Sequence, residues 1–384
     1  MRGRRTPSPT SPPGTSRSSR SGGGRWPVAA DRHPDVLVVG GGVIGLATAA
    51  ALLERDPHRS VTVLERDFIG RGASMYPGAI DMPYFRTALH RQLVEASWAW
   101  HEARARETAA YRREVPMTWF VDAEIDLPSH VAPPLTSGAR GIPPGWRAPE
   151  GVREVVGRSF VIDPEAWCQA LAQEVTRSGR GQVVEHTPVV ALDEDARGAT
   201  VKCADGRTYS AGHVVLALGP WLPDWNERTR AWSANLGLRT KRVFGLNIAV
   251  DESLRANAAV GWPGADMYFH PAHGGGGYRL SLRHDEWGVD PDAPHEMADV
   301  VIERASGFLD LLLGKGRWSV SGHRVFVDSY THEFEPVIAP CRALGERVTV
   351  ATGTHGSGIR LAPGIAELTA RTVLSSLDQK RGVA

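Results

Sequence analysis

Asp35-Val-Leu-Val-Val-Gly-Gly-Gly-Val-Ile-Gly45 is the stretch on which the fold turns. Val36 to Val39 form a continuous apolar run, the pattern of a strand buried on both faces of a parallel sheet. Gly40, Gly42 and Gly45 follow in Gly-x-Gly-x-x-Gly spacing, and Val43 to Arg55, rich in alanine and leucine, reads as a helix. Val61-Thr-Val-Leu64 predicts a second strand that ends at Glu65. Strand, glycine turn, helix, strand and acid within about 30 residues compose one βαβ unit. Gly40 permits the tight turn, Gly42 lets a pyrophosphate approach the backbone, and Gly45 lets the helix pack on the strand. The helix N-terminus around Val43 and Ile44 then offers N–H groups and a partial positive charge to phosphates. Glu65 stands where an acid accepts hydrogen bonds from an adenosine ribose. This pattern predicts a dinucleotide site and leaves NAD and FAD both open.

Outward from this unit, residues 86–113 read as a long helix, and the Pro-rich residues 115–160 as mixed strands and loops. Asp163 as N-cap with Pro164 at the first position opens a helix to Ser178. Val183 to Leu192, Thr200 to Cys203 and His213 to Leu218 read as strands. Residues 243–283 alternate apolar and polar side chains around Gly/Pro turns and predict a mostly antiparallel sheet. Val348 to Ala351 reads as a last strand, followed by a Gly-rich turn and a helix from about Pro363 to Leu377.

Composition narrows the function classes. With 384 residues, 42% hydrophobic and 23% charged, the chain is too long for one small core and predicts one large or two interlocked domains. No apolar run approaches the roughly 18 residues of a membrane span. Residues 1–34 hold seven arginines and one acid, Asp31, among Ser, Pro and Gly, and read as a disordered tail. The rest of the chain then holds more acids than bases, which argues against a nucleic-acid-binding face. Three widely spaced cysteines, Cys168, Cys203 and Cys341, make no disulfide framework or thiolate cluster. They predict a reduced, cytoplasmic protein. His270 and His273 have no acid or thiol cluster at ligand spacing, so no metal site is expected.

Three further segments separate the cofactors. Gly72-Ala-Ser-Met-Tyr-Pro-Gly-Ala-Ile80, His213-Val-Val-Leu-Ala-Leu-Gly-Pro-Trp221 and Gly353-Thr-His-Gly-Ser-Gly-Ile-Arg-Leu-Ala-Pro-Gly364 follow the first unit in order. Together they resemble the FAD-dependent D-amino-acid oxidase, glycine oxidase and sarcosine oxidase superfamily, the last segment most nearly matching glycine oxidase. The resemblance implies cofactor contacts at Ser74, Val190, Gly219, Trp221, Gly353, Gly356, Gly358, Ile359 and Arg360. A Gly-rich turn into a helix also offers N–H donors and a positive dipole end to the reduced flavin, which carries negative charge near N1. Arg360 adds a full charge nearby.

Met267-Tyr-Phe-His-Pro271, Gly274–Gly277 and Tyr278-Arg-Leu-Ser-Leu282 resemble the family's substrate-domain hairpin. Tyr268 and His270 share one strand face, with Phe269 on the other, and that face is expected to line the substrate cavity. Gly322-His-Arg-Val325 resembles the Gly-x-Arg-Pro segment whose arginine pairs with a substrate carboxylate, which makes Arg324 the expected clamp. Two departures matter: Val325 replaces the proline, and Arg324 lies about four residues further from Pro336 than in glycine oxidase. An ungapped reading moves the position towards Phe326 or Asp328. No cysteine lies in the segment that links flavin covalently in some relatives, so non-covalent FAD is expected.

The resemblance implies an α/β fold: a Rossmann-like FAD-binding domain interleaved with an α+β substrate domain on a mostly antiparallel sheet. Residues 35–80, 160–225 and 335–384 are assigned to the first, and 81–159 and 226–334 to the second. The implied activity is oxidation of the C–N bond of an amino acid or secondary amine by hydride transfer to flavin N5, with O2 as acceptor and peroxide as product. Two alternatives stay open: a dehydrogenase of an amine or 2-hydroxy acid that passes electrons to a quinone or carrier, and a non-catalytic flavin-binding subunit. Oligomeric state is left undetermined by the sequence.

Overall fold

The computed structural model describes residues 33–132, 135–137, 141–195 and 198–381. The expected disordered tail, apart from His33 and Pro34, lies outside the described residues.

A six-stranded sheet holds the predicted βαβ unit at its centre. Its order is Val337–Pro340, Val348–Thr352, His213–Leu216, Val36–Val39, Val61–Leu64, Gly181–Val184. Every neighbouring pair is parallel except the first. Alternation along the central strand divides its side chains between two cores. Val36 and Val38 pack with Leu46, Leu52, Leu171 and Val373 under the helices Val43–Arg55, Pro164–Arg177 and Gly358–Arg381. Leu37 and Val39 face the other way, against Leu192, Ala199 and Val201 of a three-stranded antiparallel sheet. Burial on both faces is why this strand carries no polar residue.

The second large sheet has nine strands. Eight run in the order Trp318–Tyr330, Arg239–Val250, Tyr278–Leu282, Met267–Pro271, Ala259–Trp262, Arg112–Val121, Arg153–Ile162, Ile80–Asp81, and Thr136–Ser137 pairs beside Arg153–Ile162. It is antiparallel except where Ala259–Trp262 meets Arg112–Val121. The helix Asp299–Leu313 covers one face through Val301, Phe308, Leu309 and Leu312, packed on Phe244, Leu246 and Leu280. The chain thus joins a Rossmann-like parallel sheet to a largely antiparallel one, the α/β architecture expected. Among the described residues no helix is long and apolar enough to cross a membrane.

Three elements differ from the sequence reading. The helix expected over 86–113 is capped by Thr87 and runs Ala88–Ala103; Arg112 and Arg113 already belong to a strand. Pairing with Arg153–Ile162 along its whole length holds that strand against local helix preference. Val183 to Leu192 is two strands, Gly181–Val184 and Val189–Glu194, separated by His186 at φ +54° and Pro188. The last helix starts at Gly358, not Pro363, and keeps Pro363 inside. There the Gly364 N–H donates to Ser97 Oγ at 3.0 Å, and the missing Cβ of Gly364 lets the helix lie on the backbone of Leu93.

Candidate active site

A cleft of about 1190 Å³ opens where the parallel strands end, lined by Val39, Leu64, Ala217 and Thr352. Doubly wound sheets bind ligands at this end of their strands. One wall is the glycine turn. Gly40 sits at φ +111°, and a Cβ there would drive into the Ala217 carbonyl. A Cβ on Gly45 would collide with the Gly40 carbonyl, so Gly45 sets the contact between turn and helix. Gly42 caps the helix with no side-chain hydrogen bond and no acid follows in the first turn, which leaves the positive dipole end facing the cleft. Ser74 Oγ accepts from the Val43 N–H at 3.0 Å.

Glu65 lines the same wall. Its carboxylate accepts from the Gly41 N–H at 2.7 Å and from the Asp67 N–H at 2.9 Å. Burial raises its pKa, and those two N–H bonds oppose the shift. Gly219, at φ +54°, and Trp221 form the next part of the wall. Arg66 lies over the Trp221 ring, and the indole donates to Asp292 at 2.8 Å.

The opposite wall is the turn from Thr352 to Ile359, where a second helix N-terminus reaches the cleft with no acid in its first turn. His355 and Gly356 there take positive φ values of 55° and 70°. Asp328 holds this turn: it accepts from Gly356 N–H at 2.6 Å, Ser329 N–H at 2.8 Å and Thr354 Oγ1 at 3.2 Å. Burial pushes its pKa up to about 6, against the pull of those donors. Two acid-free helix ends, a backbone open at Gly42 and Gly219, and a cleft above the usual roughly 300–1,000 Å³ of small-molecule sites fit a dinucleotide cofactor.

An inner cavity of about 160 Å³ adjoins the cleft at Pro77, Gly356 and Ile359. Tyr268 and Tyr330 line it from the antiparallel sheet, with His90, Lys241, His355 and Arg360 around them. Arg360 is only 6% exposed. Its guanidinium donates to the Met82 and Tyr84 carbonyls and to Ser357 Oγ, and meets His90 Nε2 at 3.0 Å. Among the described residues no carboxylate pairs with it; Asp81 nearby is committed to Arg112 at 2.9 Å and Trp98 at 2.8 Å. Burial lowers the Arg360 pKa only to about 10, so it keeps its charge. Burial, then the Arg360 charge, takes His90 down to about 2, and burial takes His355 down to about 4. Both imidazoles are neutral at pH 7. Tyr268 is pushed well above the usual phenol range by burial.

Several expected site residues lie elsewhere. Arg324 lines neither cavity: it donates to Asn247 Oδ1 at 3.1 Å and to the Met75 carbonyl at 3.2 Å. Phe326 and Asp328, further along the same strand, line the cofactor cleft instead. His270 is fully buried, with Nδ1 against the Pro271 carbonyl and Nε2 beside Gly78, and lines neither cavity; Tyr268 does. Val190 is 50% exposed at a register irregularity of its strand, and its neighbour Val189 lines the cleft instead. Gly353 packs under Thr331 rather than on the cleft, and Arg360 belongs to the inner cavity. Arg86, His90, Lys241 and His355 were missed, since nothing local sets them apart before the sheet and turn bring them together.

Residues 35–372 match the family model described as FAD dependent oxidoreductase. The chain belongs to this family. The FAD-dependent oxidoreductases bind the cofactor that the cleft fits, and the protein is an enzyme of that kind. A curated relative, the bifunctional tRNA 5-methylaminomethyl-2-thiouridine biosynthesis protein of Aeromonas hydrophila, is 28% identical over 366 residues. The match covers 87% of this chain and 52% of the relative, so the chain spans about half the length of the curated relative it matches. Among solved structures of the family fold, L-proline dehydrogenase from P. horikoshii superposes with a TM-score of 0.76 at 16% identity, covering 91% of this chain and 99% of that one. Glycine oxidase from Geobacillus kaustophilus gives a TM-score of 0.71 at 20% identity, covering 89% and 95%. L-amino acid deaminase from Proteus vulgaris gives 0.72 at 17%, covering 91% and 95%.

Proposed function

We propose that this FAD-dependent oxidoreductase oxidises the C–N bond of a small amino acid or secondary amine, with FAD held non-covalently in the cleft and the substrate carboxylate on Arg360. The observation that carries this reading is Arg360, a buried guanidinium with no carboxylate partner among the described residues, facing a cavity beside the cofactor cleft. A buried charge without a counterion is costly, and a bound carboxylate offsets that cost while gaining a planar two-point contact. The names of the structural neighbours, a proline dehydrogenase, a glycine oxidase and an amino acid deaminase, support the same substrate class.

Cavity size limits what sits there. About 160 Å³ is close to the roughly 150 Å³ that holds a benzene molecule, so about six heavy atoms fit. FAD supplies a hydride acceptor at N5. Arg360 fixes the carboxylate, and Tyr268, His90 and His355 surround it with neutral groups. Arg86 and Lys241 are balanced by Asp266 and Asp285, whereas Arg360 has no carboxylate partner among the described residues and disfavours an ammonium, so the substrate amine is held as the free base. The carbon bearing that amine gives up a hydride with both electrons, and the nitrogen gives up a proton. Water then adds across the C=N bond, which breaks to a carbonyl product and an amine. O2 takes the two electrons and two protons and leaves as hydrogen peroxide. No side chain is required as a base.

A second reading, electron delivery to a carrier instead of O2, is favoured by the likeness to a dehydrogenase. Peroxide release under air separates the two. Three buried cysteines, none in a disulfide, support a cytoplasmic location. The function is tested by an anaerobic screen of small amino acids and amines for bleaching of the flavin.

A further inference from the structure

The inner cavity abuts a second, outer space. Tyr84, Arg86, Asp266, Arg283 and His284 line the inner cavity and also line this outer cleft of about 800 Å³. Asp266 sits between the two arginines, 3.6 Å from Arg86 and 3.7 Å from Arg283, at φ +52° in the turn before Met267. The inner cavity holds about six heavy atoms, and its other side gives onto the cofactor cleft. Beyond these side chains the outer cleft offers room for a larger group on the substrate.

The outer cleft is cationic. Asp266 is shared by Arg86 and Arg283, and Asp285 by Lys241 at 2.8 Å and Arg283 at 3.1 Å. Arg304, exposed on the helix Asp299–Leu313, adds a guanidinium that has no carboxylate partner among the described residues and donates only to the Arg283 carbonyl. The cleft thus holds a cation left for a ligand.

We propose that the substrate is an N-substituted amino acid whose carboxylate lies on Arg360 and whose substituent passes Arg86, Asp266 and Arg283 to present an anionic group to Arg304. This rests on the reading of the inner cavity as the amino-acid site. A substituent on nitrogen fits the division of space: the carboxylate and the reacting carbon stay inside, and only the leaving amine carries bulk. The chemistry is that of the smaller substrate, with a larger amine released. The anion completes the charge balance of the outer cleft as the carboxylate does within.

The test uses the FAD-loaded enzyme, with N-(ω-phosphonoalkyl)glycines of two to six methylenes beside sarcosine and N-alkylglycines of matched length. At least one phosphonate is expected to exceed both sarcosine and its matched alkyl analogue in kcat/KM by about tenfold or more, a difference of ~1.4 kcal/mol. Arg304→Glu is expected to lower the phosphonate-to-sarcosine ratio by about tenfold, and Arg304→Gln by less. Sarcosine equal to every longer substrate, alkyl equal to phosphonate, or a ratio unmoved by Arg304→Glu overturns the outer site and leaves the inner one standing. Bleaching by neither sarcosine nor any member of the series overturns the amino-acid reading itself.

Discussion

The Asp328 carboxylate accepts a hydrogen bond from the Gly356 backbone N–H at 2.6 Å, tying a strand of the antiparallel sheet to the turn that closes the cofactor cleft. One buried acid thereby fixes the turn in which His355 and Gly356 adopt left-handed backbone conformations.

That acid makes stability depend on pH in a defined direction. Its folded pKa, about 6, lies above the unfolded 3.8, because burial disfavours the charged form more than its donors favour it. The folded protein therefore holds this proton more tightly, and the contribution of Asp328 to stability falls as pH rises from about 4 to about 6, then stays level. Asp328→Asn is expected to remove this slope, since an amide oxygen still accepts from Gly356. Asp328→Ala leaves buried donors unsatisfied and is expected to cost about 1–3 kcal/mol. Urea unfolding of wild type and both variants from pH 4 to 7 measures this; parallel curves for wild type and Asp328→Asn contradict it.

Two glycines of the first turn are expected to fail differently on mutation to alanine. Gly45→Ala pushes a methyl into the Gly40 carbonyl and separates helix from strand, so soluble protein and melting temperature fall. Gly42→Ala meets only Ser74 Oγ, at 3.2 Å, so the fold survives while the cofactor loses backbone approach. Melting temperature and bound flavin per chain, measured together, separate the cases. Equal loss of both quantities in both variants contradicts this division.

Flavin is expected to leave the protein when it is precipitated with acid. Cys168, Cys203 and Cys341 are buried, and none lines the cleft. All yellow colour should appear in the supernatant, and a yellow pellet contradicts the prediction.

Much of this was legible in the sequence where a local pattern and the tertiary fold ask for the same thing. Val36–Val39, Val43–Arg55 and Val61–Leu64 match their predicted bounds because a doubly buried strand, a glycine turn and an alanine-rich helix need no distant partner to be recognised. The end of the Ala88–Ala103 helix was not legible, because the strand after it is fixed by pairing with residues some 40 positions away. The same holds at the site. Glu65 and Ser74 line the cleft from segments whose order revealed them. Arg324 was read as the clamp from its immediate neighbours, yet the cavity begins further along its strand. Arg360, two residues from a glycine and three from a proline, looks like part of a cofactor turn; only the packing of Met82, Tyr84 and His90 around it shows which cavity it faces.

Arg360→Ala, compared with Arg324→Ala in steady-state kinetics, tests the central claim most directly, with each variant assayed on the amino acid that bleaches the flavin and on the same amine without its carboxylate. Removing a guanidinium from a buried carboxylate forfeits roughly 2–5 kcal/mol. Arg360→Ala should therefore raise the KM for the amino acid about 100-fold or more and leave the decarboxylated amine nearly unaffected. Arg360→Lys should recover part of the loss, because an ammonium keeps the charge without the planar contact. Arg324→Ala, at a residue that lines neither cavity, should change the KM little. A carboxylate-dependent rise in KM at Arg324 and none at Arg360 would contradict the account.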